Sequence, residues 1–176
     1  MQHTLQLSMD VVPQVAKRKH HVLVLLRNAQ GKFVLGSKTL YPDQIYRMVG
    51  GGIEEGEAAP PAAARELFEE TGLELSPNEL KPLSTITAEI EERSTGQHYT
   101  FVTELFLADV GTQQLHPSDD IQALQELTTE QLQDLIRRYS QLPREIDHDK
   151  GFAWYDYGQL YGAIHQIALD ELHHVQ

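Results

Sequence analysis

The chain has 176 residues, enough for about one domain with a core of its own. It contains no cysteine, which excludes disulfides, zinc–thiolate and iron–sulfur sites and a thiol nucleophile. Its formal net charge of −12 opposes a coat on bulk nucleic acid or a polybasic membrane anchor, but allows a small phosphorylated ligand held through metal ions.

In chain order, Leu5, Leu7, Met9 and Val11 alternate with polar residues, the period of a half-buried strand over 4–11. The run from His21 to Arg27, the turn Asn28-Ala29-Gln30-Gly31 and the stretch 32–38 read as a β-hairpin. A short strand over 45–49 leads into Gly50-Gly51-Gly52. Residues 60–71 predict a helix: Pro60 and Pro61 suit its first turn, alanines follow, and Gly72 stops it. Strands are expected over 83–91, 99–109 and 121–127. Thr128 or Thr129 caps a helix running to about Tyr139, a polar loop covers 143–151, and a closing helix spans 152–172. This order predicts an α/β fold in which a mixed β-sheet is sandwiched between helices, with residues 1–176 as a single domain. The longest aliphatic run, Val22 to Leu26, is too short to span a bilayer, and the N-terminus has no secretory pattern, so a cytoplasmic protein is expected. The strand over 4–11 offers an edge on which a second copy could pair, so a homodimer is expected.

Chemistry concentrates at 51–73, where six glutamates face one arginine, a local charge of −5 in 23 residues. Glu66, Glu69 and Glu70 stand at i, i+3 and i+4 and share one helical stripe, with Ala63, Ala64, Leu67 and Phe68 available to pack against a sheet. Clustered carboxylates repel one another unless something positive sits among them, and a hard divalent cation suits such a set. A run of glutamates is most often a solvated helix face, so the spacing has to decide. It reads Gly51, five residues, Glu57, seven residues, Arg65-Glu66-Leu67, one residue, Glu69-Glu70, one residue, Gly72-Leu73.

This spacing resembles the Nudix box, G-x5-E-x7-R-E-U-x-E-E-x-G-U with U a bulky aliphatic, at every specified position. The resemblance implies a pyrophosphohydrolase that cleaves a nucleoside diphosphate linked to X (a nucleoside triphosphate, nucleotide sugar or ADP-ribose type of substrate), with Mg²⁺ or alternatively Mn²⁺ as cofactor. It implies Glu69 and Glu70 as principal metal ligands, Glu66 as a further ligand or proton acceptor, and a backbone carbonyl at Gly50 or Gly51. Arg65 would orient the carboxylates, with Glu57 as its structural partner. An acidic group from outside the box is sought first at Glu104, then at Glu89, Glu91, Glu92, Asp119, Asp120 and Glu126. Lys38, Arg47 and Tyr46 are candidates for substrate binding; Tyr41 is another tyrosine just before the box. Phe152, Trp154, Tyr155, Tyr157 and Tyr161 suit either a base pocket or the core, and core packing is preferred. Val49 stands where many relatives carry proline, and Ala58-Ala59 where a polar cap is usual. The alternative is a catalytically silent module that binds a nucleotide or a protein.

Overall fold

The computed structural model describes residues 1–174. Its main sheet holds β1 (Gln2–Met9), β2 (His20–Asn28), β3 (Phe33–Lys38), β4 (Lys81–Glu92), β5 (Gln97–Gly111) and β6 (Ile121–Leu127), in the order β1-β4-β5-β2-β3-β6. The β1/β4 and β2/β5 pairs are parallel and the others antiparallel, so the sheet is mixed as predicted. Three helices cover it: α1 (Ala59–Thr71), α2 (Thr129–Tyr139) and α3 (Trp154–Glu171). The 143–151 loop contains one half of a two-residue ribbon, β7 (Ile146–Asp147) against β8 (Phe152–Ala153). None of the helices among the described residues is long and apolar enough to cross a membrane.

The aliphatic run of β2 follows from burial on both faces. Val22, Val24 and Leu26 pack towards Ala62, Ala63 and Leu67 of α1. Leu23 and Leu25 pack towards Leu132 and Leu135 of α2 and Leu160 and Ile164 of α3. The sheet is thus sandwiched between α1 and the α2–α3 pair, which lie close because α3 carries Gly158 and Gly162. A Cβ at Gly158 would stand 2.2 Å from the Tyr139 carbonyl oxygen.

Residues 45–49 form isolated bridges rather than the regular strand expected. β2 and β3 pair only at Leu26–Val34 and Arg27–Phe33. Beyond that they part, and the 47–52 segment wedges between them through Gly36–Arg47, Val24–Val49 and His21–Gly52. The left-handed backbone of Gly50 (φ 135°) interrupts any longer ladder. The triple glycine therefore lies in the sheet, beside the stripe of α1. As the alanines foretold, α1 starts without a side-chain cap; its end is the left-handed Gly72.

His165 of α3 ties the wedge to the second helical layer. Its Nε2 accepts the Met48 amide at 3.0 Å, so the ring proton sits on Nδ1, which donates to the Tyr161 carbonyl at 2.6 Å. Burial lowers this imidazole to about 4, outweighing the bond to the Tyr161 carbonyl, with the charge of Arg47 adding to the effect. The unfolded chain takes up the second ring proton near pH 6.5, so below it the unfolded state binds more protons and stability falls with acid. Between neutral pH and about pH 4 this residue is expected to remove about 3 kcal/mol. Urea unfolding across that window should show His165→Gln, which cannot titrate there, with a flatter profile than wild type; parallel profiles would contradict the assignment.

Candidate active site

The carboxylate stripe of α1 opens onto a cavity of about 780 Å³. Glu66, Glu69 and Glu70 all line it, together with Gly50, Gly51 and Gly52. Glu70 is buried, accepts the Gly50 amide at 2.7 Å and lies 3.4 Å from the Lys38 ammonium. Glu66 packs directly on Gly51, where a Cβ would stand 2.4 Å from its Oε2. A side chain at residue 51 would therefore displace the Glu66 carboxylate from its present place against the backbone.

Arg65 organises the rest. It grips Glu57 with two bonds, Nε–Oε1 at 3.0 Å and Nη2–Oε2 at 2.9 Å. It also donates to Glu66 at 2.8 Å, to Glu69 at 3.3 Å and to the Gly52 carbonyl at 3.0 Å. One planar guanidinium therefore fixes the loop before α1 and two carboxylates of the stripe. Lysine cannot reproduce that fork. Arg65→Lys is expected to lower turnover roughly 10–100-fold, the scale on which losing a group that orients neighbouring side chains of a site acts. It should also expose the 52–57 loop to limited proteolysis; unchanged kinetics and cleavage would contradict this role.

The electrostatics separate the glutamates. The bonds from Arg65 lower Glu57 below the usual carboxylate range. Burial raises Glu66 and outweighs its bond to Arg65. Burial raises Glu70 despite the nearby charges of Arg47 and Lys38. Glu66 and Glu70 thus hold negative charge at a cost that a further cation would offset. The donor set is hard oxygen, which suits Mg²⁺ or Mn²⁺. No three acidic or histidine side chains among the described residues are already gathered around one point. Glu66 and Glu69 turn to Arg65, and Glu70 to Gly50 and Lys38. Each glycine carbonyl carries one bond: Gly50 accepts from Arg47 at 3.0 Å, Gly51 from the Val22 amide at 2.9 Å, and Gly52 from Arg65.

The other sequence candidates divide. Lys38 and Arg47 line the cavity, and Lys38 bridges Glu70 and Asp120, the latter at 2.5 Å. Tyr46 does not line it: the local alternation sends Arg47 to the cavity and Tyr46 towards Gln131 and Arg138 of α2. Tyr41 takes a place there instead, its hydroxyl 3.0 Å from that of Tyr157. Glu104 also lies off the cavity, its Oε2 accepting from the Thr85 hydroxyl of the neighbouring strand at 2.7 Å. Asp119 and Asp120 do line it. Glu92 is structural, accepting the Val12 amide at 2.9 Å. Glu89 and Glu91 lie beside β1, and Glu126 pairs with Lys32. Phe152, Trp154 and Tyr157 serve both core and cavity, whereas Tyr155 lies under Arg144. Arg18, Lys150 and His21 also line the cavity and were missed. Arg18 is one of three consecutive basic residues, Lys17 to Lys19, with nothing local to mark a site; Lys150 lies in the polar loop and His21 at the start of a strand.

The profile of the NUDIX domain family matches residues 17–155. The chain belongs to the NUDIX domain family. Among curated NUDIX relatives, an RNA pyrophosphohydrolase of Sphingopyxis alaskensis is 44% identical over 50 residues, 28% of this chain and 32% of that protein. Phosphatase NudJ of Escherichia coli is 33% identical over 60 residues, 34% of this chain and 39% of that protein. These matches span about a third of the length of those relatives. Among solved structures, a C. elegans Ap4A hydrolase superposes with a TM-score of 0.55 at 17% identity, covering 88% of this chain and 97% of that one. At that identity the likeness concerns the NUDIX fold, whose mixed sheet between helices is the architecture described above.

Proposed function

We propose that this NUDIX domain hydrolyses the diphosphate bond of a nucleoside diphosphate linked to X by attack of water at phosphorus. The observation that carries this reading is the placement of all three box glutamates on one cavity, two of them desolvated by burial. Glu66, Glu69 and Glu70 would hold the divalent cation, Mg²⁺ or Mn²⁺, with a backbone carbonyl of Gly50 or Gly51. A cation bound there neutralises the diphosphate and lowers the pKa of a bound water. Arg65 releases and steers the carboxylates. Lys38 fixes Glu70, and Asp119 or Asp120, rather than Glu104, supplies the extra acidic group on the cavity wall. A carboxylate takes the proton of the attacking water as the new P–O bond forms and the bridging P–O bond breaks. The partner is a small nucleotide, and a second copy of the chain would pair along the outer edge of β1. The cytoplasm is the expected compartment.

A panel of nucleoside triphosphates, dinucleotides and nucleotide sugars, incubated with Mg²⁺ and read by product mass, tests the proposal. Metal-dependent cleavage at a phosphoanhydride is the expected result. Binding of a nucleotide without any cleavage would mark a silent module.

A further inference from the structure

The same cavity is also lined by the cations Arg18, Arg47 and Lys150, none of which forms an ion pair with a carboxylate among the described residues. Arg47 is buried, with 6% of its surface exposed, and its hydrogen bonds go to neutral groups; Glu70 acts on it only through space, without an ion-pair contact. It donates to the Gly50 carbonyl at 3.0 Å and to the Tyr161 hydroxyl at 3.3 Å, and lies 5.0 Å from the Tyr161 ring centroid. A buried cation normally has an anionic partner, because desolvation is otherwise uncompensated. Arg18 and Lys150 line the cavity and are likewise unpaired among the described residues. Lys38 differs, since Glu70 and Asp120 already hold it.

His21 adds a second, independent anomaly. It is 1% exposed and lines the cavity, and its Nδ1 has no hydrogen-bond partner among the described residues. Its ring lies 5.4 Å from that of Phe101 and 6.4 Å from that of Tyr161. Burial, reinforced by Arg47, Arg18 and Lys38, keeps the imidazole neutral, so it can offer an N–H without adding charge to a wall that is already positive.

We propose that Arg47, Arg18, Lys150 and His21 form a phosphoryl seat beside the metal-binding glutamates, and that the substrate is a nucleoside triphosphate or longer polyphosphate. The seat stands on its own geometry; the substrate class rests on the hydrolase reading. A polyphosphate brings anionic oxygens both to the glutamate-held cation and to Arg47. A nucleotide sugar carries only its diphosphate and ends in a neutral ring, so once that diphosphate meets the cation it has no further anionic group for the seat.

Inorganic tripolyphosphate, titrated into the full chain with a chelator present, tests the seat without metal or turnover. Trp154, the chain's one tryptophan, lines the cavity and reports occupancy by fluorescence. Saturable binding is expected, weakened about tenfold or more in His21→Leu and in the double variant Arg18→Gln with Lys150→Gln. His21→Gln, which restores an amide donor, should recover most of the loss. Arg18 is exposed and Lys150 half-buried, so the double variant reads the seat even if His21→Leu fails to fold. No saturable change in wild type, or undiminished affinity in the double variant, overturns the seat.

With Mg²⁺ added, kcat/KM for a nucleoside triphosphate should exceed that for ADP-ribose by about tenfold or more. The double variant should raise KM for the triphosphate more than it lowers kcat. Equal or reversed preference overturns the substrate class while hydrolysis itself remains. Tripolyphosphate binding with no turnover of any substrate supports the seat and overturns the hydrolase reading.

Discussion

Glu70→Gln is expected to lower turnover on the order of 1,000-fold, about 4 kcal/mol of transition-state stabilisation, while the protein stays folded. The substitution removes one negative charge from the C-terminal end of the stripe and leaves the shape unchanged. The amide oxygen can still accept the Gly50 N–H that Glu70 holds at 2.7 Å. Lys38 keeps its contact with Asp120. Burial opposes the charge on Glu70, so the neutral amide costs less to bury and the thermal midpoint should hold or rise. Loss of activity without loss of stability identifies a residue that works on the substrate or its cation. Wild-type turnover in Glu70→Gln, or collapse of the fold, would remove Glu70 from the centre of the site.

Gly50→Ala is expected to act in the opposite way, through the fold. A Cβ at Gly50 would stand 2.2 Å from the Val22 carbonyl oxygen and 3.1 Å from the Leu23 Cα, both backbone atoms of β2. The local φ of 135° is also one that alanine rarely adopts. Strain and overpacking together should cost about 3 kcal/mol or more. In a chain of this size that lowers the thermal midpoint by roughly 6–12 °C. Gly56→Ala is the informative comparison. Gly56 also has positive φ, at 79°, but nothing lies within 4 Å of its added Cβ, so only about 1 kcal/mol of strain is expected. Equal destabilisation by the two variants, measured by thermal unfolding, would show that the wedge between β2 and β3 does not depend on this contact.

What the chain reveals unaided follows the range of the interactions. The carboxylate stripe, the Arg65–Glu57 clamp and the helix stops involve residues a few positions apart, and spacing alone places them. The two-sided burial of β2 is legible in its unbroken aliphatic run. The wedge at 47–52 is not, because it needs β2 and β3 to part after two residue pairs, a consequence of how they meet β5 and β6. Glu104 misled for the same reason. Its apolar neighbours Phe101, Val102, Leu105 and Phe106 suggested a carboxylate with a task, but it accepts a hydrogen bond from the Thr85 hydroxyl on the next strand. Tyr46 and Arg47 are adjacent in sequence, and only the pairing of Arg47 with Gly36 shows which of them faces the cavity. Arg18, Asp119 and Lys150 come together from segments more than 100 and then about 30 residues apart, so no local pattern announces them.

The measurement closest to the central claim is hydrolysis of a nucleoside triphosphate in water labelled with heavy oxygen, with Mg²⁺ and then with a chelator, for wild type and Glu70→Gln. Label should enter a phosphoryl product of the wild-type protein with Mg²⁺ present and be lost both with the chelator and in the variant. Label incorporated equally with the chelator, or equally by Glu70→Gln, would show that the α1 carboxylates and their cation do not direct water onto phosphorus.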